Sequence, residues 1–598
     1  MWKMCRISLT FMALFSCEVQ GVTNETLQSA KQPIGSDVSP WDNAKECSLP
    51  LVVCIADGCL RGTSMDGFLG EPFDAFIGIP YAKPPVGKLR FANPVPNDRW
   101  KAGTIYNATA EKPMCTQKND LVPNAQVQGN EDCLYLNVYR PKGQNNTKAA
   151  LPVMVYIHGG GFFSGGASPS ILGPEYFMDT RRMILVTLQY RLGVFGFLST
   201  GDAQAPGNFG LKDQVMALQW VRKNIAGFGG NPELVTIFGQ SAGGASIQMH
   251  MISRMSEGLF ARAIMMSGSA IAPWSFPTAK PLDLAIRQAE AVGVPCARNL
   301  SSKQIVDSLR DADANALSKS IDELKFWSID PLTLYRPVVE SASWSDQAFL
   351  VEDPRVSWRK GNYQQLPWMA SFVPNEGAVR SIAITSNEQL LKELNANISY
   401  LLPMLLEKEP SEELMQILTK RFFNDTLEGP LITEKNAFRL MDLYTEAGFA
   451  YPIQSSVKEH VKFANVKRAP VSVYKFSFKG RYSYSLYYTF TQQDYGVVHC
   501  DDLIYLFRAP LLFQDFPPDS KEAQMSNNLV NFFIDFAING VATELKPYRQ
   551  CENDNEVHHS MVCDVLEFTN SVDAGKAFDV RVFNGQNEDL FAFWNKFY

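Results

Sequence analysis

Residues 234–253 read LVTIFGQSAGGASIQMHMIS, in which an apolar run, a glycine-flanked serine and a helical pattern follow one another directly. The apolar run predicts a buried strand, and the residues after Ser241 predict a helix. Gly239 and Gly243 complete the pattern Gly-x-Ser-x-Gly, whose small residues allow a sharp turn that exposes the serine hydroxyl. We therefore predict that Ser241 is a catalytic nucleophile. The alternative for this motif alone is an incidental serine in a glycine-rich turn.

A second glycine-rich turn occurs earlier in the chain. The sequence HGGGF at 158–162 follows an apolar run, Val153–Ile157. Turns of this type present backbone N–H groups to the oxyanion that forms during acyl transfer, because glycines let the backbone approach the substrate closely. The amides of Gly160, Gly161 and Ala242 are the predicted oxyanion-hole donors. A purely structural turn is the alternative.

A serine hydroxyl needs a general base, and the chain contains six histidines. Five of them lie in contexts that favour other roles: His158 in the glycine turn, His250 in the predicted helix after Ser241, His460 among lysines, and His558 and His559 in a polar, acidic segment. The remaining one, His499, lies in the loop GVVHCDD at 496–502. We predict that His499 is the base.

The acid that orients the base should lie between the serine and the histidine in the chain, just after a strand. Glu376 has this place, in the turn PNEG at 374–377 that follows the apolar run 367–372. Taken alone, Glu376 is typical of a solvated acid in a turn, and His499 is typical of a histidine in a loop with its hydrogen bonds satisfied. Their order and their contexts together favour a Ser241–Glu376–His499 triad.

Short apolar runs alternate with helical patterns along the chain. The predicted strands are Val153–Ile157, Ile184–Leu188, Leu234–Phe238, Ala263–Met266, Pro367–Phe372 and Val471–Phe478. The predicted helical regions are Lys212–Asn224, Ala242–Ser253, an amphipathic stretch from Glu388 to Arg421, and Asn527–Ile538. This alternation predicts an α/β fold with a mostly parallel central sheet flanked by helices. Residues 280–366 are predicted to be excursions within one large domain, residues 22–598.

The 598-residue chain has a formal net charge of −7 and no dense run of Lys and Arg, which argues against a nucleic-acid partner. Residues 1–21 carry two basic residues before a short apolar run and predict a cleaved secretory signal peptide. That run is about half as long as a membrane span requires. An extracellular protein without a membrane span is therefore expected. Six Asn-x-Ser/Thr sequons fit this route as candidate glycosylation sites: Asn24, Asn107, Asn145, Asn299, Asn397 and Asn424.

Nine of the eleven cysteines lie outside residues 1–21, and an oxidising compartment favours disulfides between them. Cys115 with Cys133 and Cys551 with Cys563 are candidate pairs, because each pair would close a short loop. The two histidines inside the second loop leave a metal site there as the alternative. A disulfide-closed acidic loop is the favoured interpretation, and neither a metal nor a cofactor is predicted.

The chain resembles the secreted carboxylesterases of the cholinesterase-like type from Gly62 to beyond Phe507. Besides the two glycine motifs, the resemblance rests on FIGIPYA at 76–82, EDCLYLN at 131–137 and GNFGLKDQ at 207–214. It implies the α/β-hydrolase fold and hydrolysis of a small apolar ester through an acyl-enzyme. Ser308 stands where we would look for the usual disulfide partner of Cys296, so Cys296 is expected to be unpaired.

Within this family, Gln240, Arg90-Phe91, Asp213-Gln214 and the loop at 496–502 resemble the insect juvenile hormone esterase branch. The resemblance implies the methyl ester of juvenile hormone as the substrate. Residues 116–132 contain no aromatic side chain, which counts against the choline site of cholinesterases. A general detoxifying or odorant-degrading carboxylesterase shares the chemistry and stays an alternative. An inactive adhesion protein of the same fold is disfavoured, because such relatives usually lose a triad residue.

Overall fold

The computed structural model describes residues 51–144, 149–423, 429–465, 467–490, 493–542, 564–585 and 587–598. Several sequence predictions lie outside these ranges: the signal peptide, Asn24, Asn145, Asn424, Cys551, Cys563, His558 and His559.

The described strands are β1 Val52–Ile55, β2 Gly58–Arg61, β3 Thr63–Asp66, β4 Pro72–Pro80, β5 Ile105–Asn107, β6 Tyr135–Pro141, β7 Leu151–Ile157, β8 Ile184–Leu188, β9 Gly230–Gln240, β10 Arg262–Met266, β11 Trp368–Phe372, β12 Val471–Ser477, β13 Asp564–Asn570 and β14 Phe578–Asn584.

Eleven of these strands form one sheet in the order β14-β13-β12-β11-β10-β9-β7-β8-β6-β4-β3, while β1, β2 and β5 form a small separate sheet. The neighbouring strands from β13 to β8 run parallel, and the strands at both ends pair antiparallel. The six strands predicted from apolar runs are adjacent members of the parallel part. The prediction of a mostly parallel α/β sheet is confirmed.

The central strands are buried on both faces, as their unbroken apolar runs predict. In β9, every residue from Val235 to Gln240 is buried, and β7 and β10 pair with it on either side. Parallel strands end at the same edge of a sheet, so the turns after β7, β9 and β11 lie close together in space. Those turns contain the glycine motif at 158–162, Ser241 and Glu376.

Helices cover the sheet and fill the connections between its strands. They are α1 Glu175–Asp179, α2 Gly193–Phe197, α3 Phe209–Asn224, α4 Ala242–Ile252, α5 Pro281–Ala291, α6 Ser302–Asp311, α7 Ala314–Ser320, α8 Pro354–Arg359, α9 Ala378–Thr385, α10 Glu388–Ala396, α11 Ile398–Leu405, α12 Glu412–Phe422, α13 Ala437–Thr445, α14 Tyr451–Phe463, α15 Ser485–Thr489, α16 Lys521–Asn539 and α17 Glu588–Trp594. Helix α16 begins at the side-chain cap of Ser520 and ends at Gly540, which has a positive φ of 74°.

The amphipathic stretch from Glu388 to Arg421 forms three helices, α10 to α12. Asn397 leaves the helical conformation between α10 and α11, and Glu407 adopts a positive φ of 58° after α11. Apolar residues of these helices form a second hydrophobic cluster together with α13 and α17. The hydrophobic period predicted helical structure here, but the chain forms three short helices, and each of them contacts the next.

The segment 280–366 lies between β10 and β11 and contains α5 to α8, as an excursion would. A buried ion pair joins it to the core: Lys212 of α3 donates to Glu340, and both side chains are at most 1% exposed. Glu340 also accepts from the Asn208 amide at 2.9 Å and from the backbone N–H of Phe349 at 2.6 Å. Burial lowers the pKa of Lys212.

Two disulfides join described cysteines, Cys54 to Cys59 and Cys115 to Cys133. Cys296 and Cys500 carry free thiols, of which the first is exposed. None of the helices in the described ranges has both the length and the apolar character that crossing a membrane requires.

Candidate active site

Ser241 is the single residue between the end of β9 and the start of α4, at the tip of the turn. Its backbone has φ 59° and ψ −123°, a strained conformation for a residue other than glycine. The turn passes very close to β7: a Cβ on Gly243 would lie 2.1 Å from the carbonyl oxygen of Ile157, and one on Gly239 would lie 2.5 Å from the same atom. Only glycine fits at these two positions, so the sharp turn depends on them.

The glycine turn after β7 faces the same space. Gly160 and Gly161 have φ values of 96° and 60°, which favour glycine. Both line the cavity that contains Ser241. Within the described ranges, no hydrogen-bond acceptor is found for the amides of Gly160, Gly161 or Ala242. Three backbone donors therefore remain available near the serine.

His499 and Glu376 form a buried hydrogen-bonded pair. Nδ1 of His499 lies 2.5 Å from Oε2 of Glu376, and the two residues are 3% and 0% exposed. The other oxygen of Glu376 accepts the backbone N–H of Val373 at 2.9 Å. Phe449, from a π-helical segment at Glu446–Ala450, packs on the imidazole with a ring separation of 4.8 Å. These contacts fix the orientation of the His499 ring.

The other nitrogen of His499 faces the turn that carries the serine. Nε2 of His499 lies 3.1 Å from Nε2 of Gln240. When the ring is neutral, with its proton on Nδ1 beside Glu376, Nε2 can accept from the Gln240 amide. No hydrogen bond joins Ser241 Oγ to His499 within the described part of the chain. Hydrogen bonds between nucleophile and base are often formed only when substrate is bound.

Charged groups around His499 favour its protonated form. Burial lowers the pKa of the imidazole, but the adjacent Cys500 sulfur and the Glu376 carboxylate outweigh burial and raise that pKa to about 10. Asp502 is fully buried. Burial raises the pKa of Asp502 to about 7, and the charge of Glu376 acts in the same direction.

The other described histidines have structural partners. His158 lies 2.8 Å from the carbonyl oxygen of Gly159 and stacks on Tyr190. His250 contacts Ser256 and Gln214, and His460 contacts Tyr363 and the carbonyl of Ala469. Burial lowers the pKa of all three rings, to about 4, 3 and 4 in chain order. Among the histidines in the described ranges, only His499 lines the cavity of Ser241.

Ser241 and His499 line the same cavity. Its wall is mostly apolar and includes Leu121, Phe163, Trp274, Leu332, Val379 and Met404. Leu121 lies within the loop closed by the disulfide between Cys115 and Cys133. A cavity of this kind suits a neutral, apolar ligand.

Several residues of this site have no distinguishing sequence pattern. Phe449, Arg380 and Tyr444 line the cavity, but they lie in ordinary helical patterns far from the glycine motifs. No local signal distinguishes them from core residues. The described residues contain no group of three or more His, Cys, Asp or Glu side chains arranged to hold a metal ion.

Comparison with known proteins identifies the family. The family model described as "Carboxylesterase family" matches residues 50–570. The juvenile hormone esterase of Tribolium castaneum is 40% identical over 540 residues, which cover 87% of this chain and 89% of that protein. Venom carboxylesterase-6 of Apis mellifera is 35% identical, with 81% of this chain and 85% of that protein covered.

A solved structure shows the same architecture. The crystal structure of juvenile hormone esterase from Manduca sexta, with OTFP covalently attached, matches with a TM-score of 0.76 and 26% identity. The match covers 91% of this chain and 99% of that one. The fold is therefore that of the α/β-hydrolases. Since the family model matches most of the sequence, the chain belongs to the carboxylesterase family and is a carboxylic ester hydrolase.

Proposed function

We propose that Ser241, His499 and Glu376 form the catalytic triad of this esterase. The observation that carries the proposal is the 2.5 Å contact between Glu376 and His499 in the wall of the cavity that contains Ser241. Ser241 Oγ attacks the ester carbonyl carbon while Nε2 of His499 accepts the hydroxyl proton. Glu376 holds the proton on Nδ1 and stabilises the imidazolium that forms.

The reaction then proceeds in two halves. The tetrahedral intermediate places its oxyanion among the amides of Gly160, Gly161 and Ala242, where each donor contributes about 3 kcal/mol to transition-state stability. When the intermediate collapses, the alcohol leaves with the proton held by His499, and the acyl group stays on Ser241. Water, deprotonated by His499, attacks the acyl-enzyme and releases the carboxylic acid and the free serine.

The substrate proposed for this site is the methyl ester of juvenile hormone. The apolar wall of the cavity favours a neutral, lipid-like ester. Two curated relatives, from Tribolium castaneum and Heliothis virescens, are juvenile hormone esterases at 40% and 31% identity. The alternative is a carboxylesterase with broad specificity, which the 35% identity to venom carboxylesterase-6 of Apis mellifera favours.

Competing substrates separate these two functions. The measurement is kcat/KM for juvenile hormone and for a short aryl ester such as naphthyl acetate, with Ser241→Ala as the inactive control. A clear preference for the hormone supports the proposal. A strong preference for the aryl ester supports the broad carboxylesterase instead. Hydrolysis of neither ester would contradict the catalytic proposal.

We also propose that the protein is secreted. The pattern at residues 1–21 supports this, as do two disulfides, which persist in oxidising compartments. The asparagines of the three sequons within the described ranges, Asn107, Asn299 and Asn397, are exposed and accessible to glycosylation. Expression in insect cells tests the proposal: we expect a glycosylated protein in the medium that begins after the signal peptide. Retention of an unglycosylated chain inside the cell would contradict it.

A further inference from the structure

A π-helical segment at Glu446–Ala450 carries a side chain that packs on the proposed base. The ring of Phe449 is 6% exposed and lies 4.8 Å from the imidazole of His499. Trp274 packs on Phe449 at a ring separation of 5.7 Å and donates from Nε1 to the carbonyl oxygen of Gly448 at 2.8 Å. The π-helix is a rare conformation that occurs mostly as a single turn, often at functional sites. The space around the imidazole therefore depends on what holds this segment in place.

Pro452 leaves two carbonyl groups of the segment without a backbone donor. The backbone N–H of Tyr451 donates to the carbonyl oxygen of Glu446, five residues earlier, as in a π-helix. Pro452 follows and has no N–H, so it cannot donate to Ala447, five residues earlier, or to Gly448, four residues earlier. Gly448 accepts from the indole described above. Ala447 is buried, so its carbonyl needs a donor from another part of the chain.

Helix α17 and the residues after it supply donors to the first two residues of the segment. The Tyr598 hydroxyl donates to the carbonyl oxygen of Ala447, and Trp594 Nε1 donates to Oε2 of Glu446 at 2.8 Å. Arg421 of α12 donates to the same carboxylate oxygen at 2.9 Å. The described residues that line the cavity include neither of the two aromatic residues. Both donors therefore act on the π-helical segment from outside the cavity.

The two donors are themselves held in place. Trp594 is 1% exposed in the second hydrophobic cluster, and its ring lies 6.2 Å from that of Tyr598. Lys408 Nζ lies 4.4 Å from the centre of the Tyr598 ring and donates to the Phe597 carbonyl at 2.6 Å. Arg359 donates to the Tyr598 carbonyl at 2.9 Å. These contacts fix the hydroxyl and the indole relative to the π-helical segment.

We propose that Trp594 and Tyr598 are positioning residues for the base: their donors hold the π-helical segment where Phe449 packs on the imidazole of His499. The inference rests on the proposed role of His499 in catalysis and adds two residues that support that role. Both lie after residue 570, where the match to the family model ends. Helix α17 thus belongs to the construction of the active site, although it carries none of the proposed reacting groups.

The effect of each donor on the base follows from the cost of an unpaired buried group. Without the Tyr598 hydroxyl, the Ala447 carbonyl loses its donor, and movement of the segment towards water lets this carbonyl pair again. Phe449 lies two residues further on and moves with the segment. The imidazole of His499 then gains freedom, so its Nε2 is less often aligned with the hydroxyl of Ser241. The chemical step slows as a result.

Tyr598→Phe tests the positioning role because it removes one hydroxyl and keeps the ring. With naphthyl acetate as the substrate, we expect kcat to fall about 10-fold, a smaller loss than outright displacement of a catalytic group would cause. KM should change less than kcat, because Tyr598 does not line the cavity in the described structure. Tyr451→Phe is the matched control: it removes a hydroxyl that donates to Asn595 at 2.9 Å, beside α17. This control should keep the wild-type kcat.

Trp594→Phe tests the second donor by removing the indole N–H from Glu446. We expect a fall in kcat of the same size, about 10-fold. Trp358→Phe is its control, because Trp358 is also 1% exposed and donates from Nε1 at 2.8 Å to the Ser456 carbonyl in α14, outside the π-helical segment. Both variants lose a buried indole. A fall in kcat restricted to Trp594→Phe therefore arises from the segment and not from a general loss of stability.

Hydrogen exchange at the imidazole C2 position reports on the contact itself without turnover. Mass spectrometry of the peptide that contains His499 measures the exchange rate, and buried His250 is the internal reference. In Tyr598→Phe, we expect several-fold faster exchange at His499, because water reaches a ring that Phe449 covers in the wild type. The rate at His250 should not change. In Tyr451→Phe, both rates should equal those of the wild type.

A wild-type kcat in both Tyr598→Phe and Trp594→Phe would overturn the proposal. An equal loss of kcat in the two control variants would also overturn it. Unchanged exchange at His499 in a variant with reduced kcat would do the same, because the effect would then not pass through Phe449. Failure of the wild type to hydrolyse any ester would instead contradict the proposed catalytic function. The exchange rates would still decide whether the two donors hold the ring.

Discussion

Asn375 and Val497 exchange two hydrogen bonds. The backbone N–H of Asn375 donates to the Val497 carbonyl at 3.1 Å, and the Val497 N–H donates to the Asn375 side-chain oxygen at 3.2 Å. The first residue precedes Glu376 and the second lies two residues before His499. This pair therefore joins the loop of the acid to the loop of the base, although the two loops are far apart in the chain.

Loss of this connection should slow catalysis more than it destabilises the fold. In Asn375→Ala, one of the two bonds is lost and the loops gain freedom, so we expect kcat to fall about 10- to 100-fold, the typical cost of misplacing a catalytic group. Steady-state kinetics and a denaturant titration measure the two effects. An unchanged kcat in a folded variant would contradict the positioning role.

The side chain of Gln240 places an uncharged amide beside Nε2 of His499. Gln240→Glu places a carboxylate beside Nε2, which stabilises the imidazolium and raises the pKa of His499. Because only the neutral ring accepts a proton, the acid limb of kcat/KM should move upward by about one pH unit. Gln240→Met, which adds no charge, is the matched control and should leave the limb in place. A shift of the acid limb to lower pH in Gln240→Glu would contradict the assignment of His499 as the base.

Removal of the Cys500 sulfur should move the acid limb of kcat/KM to lower pH. This sulfur and Glu376 raise the pKa of His499 to about 10, so kcat/KM of the wild type should fall as the pH decreases through a value above the ordinary imidazole pKa of about 6.5. Cys500→Ser removes the contribution of the sulfur and therefore lowers the pKa of His499. Activity should then extend to lower pH. Identical pH profiles for the two proteins would show that the sulfur has no such effect.

The sequence predicts those parts of the site that short local patterns determine. The turns around Ser241 and Gly160 depend on glycines within a few residues, so their type and position are apparent from the motifs. The contact between Gln240 and His499 is not apparent, because it joins residues 259 positions apart. Phe449, which packs on His499, is equally hard to predict, because the two residues lie in separate elements of the chain.

The same distinction applies to the fold. Apolar runs predicted six strands because strands buried on both faces need continuous hydrophobic sequence. The edge strands β3 and β14 carry mixed patterns and were not predicted. The stretch from Glu388 to Arg421 had the correct hydrophobic period, but its division into α10, α11 and α12 depends on packing against α13 and α17.

The buried Lys212–Glu340 pair should contribute to stability without affecting chemistry. Glu340→Ala leaves the Lys212 ammonium, the Asn208 amide and the Phe349 N–H without their acceptor, so we expect the free energy of unfolding to fall by about 3–5 kcal/mol. A matched double variant, Lys212→Met with Glu340→Gln, keeps an acceptor for the two amides and should recover much of the loss. Denaturant unfolding measures both. A loss below about 1 kcal/mol in Glu340→Ala would contradict the structural role.

The central claim is that a single hydroxyl, that of Ser241, performs the nucleophilic attack. Mass spectrometry of the protein after inhibition by an organophosphate tests it directly. We predict one adduct per chain, on the peptide that contains Ser241, which forms in proportion to the loss of esterase activity and does not form on Ser241→Ala. An adduct on another residue that accounts for the inhibition, or full hydrolytic activity in Ser241→Ala, would contradict the account.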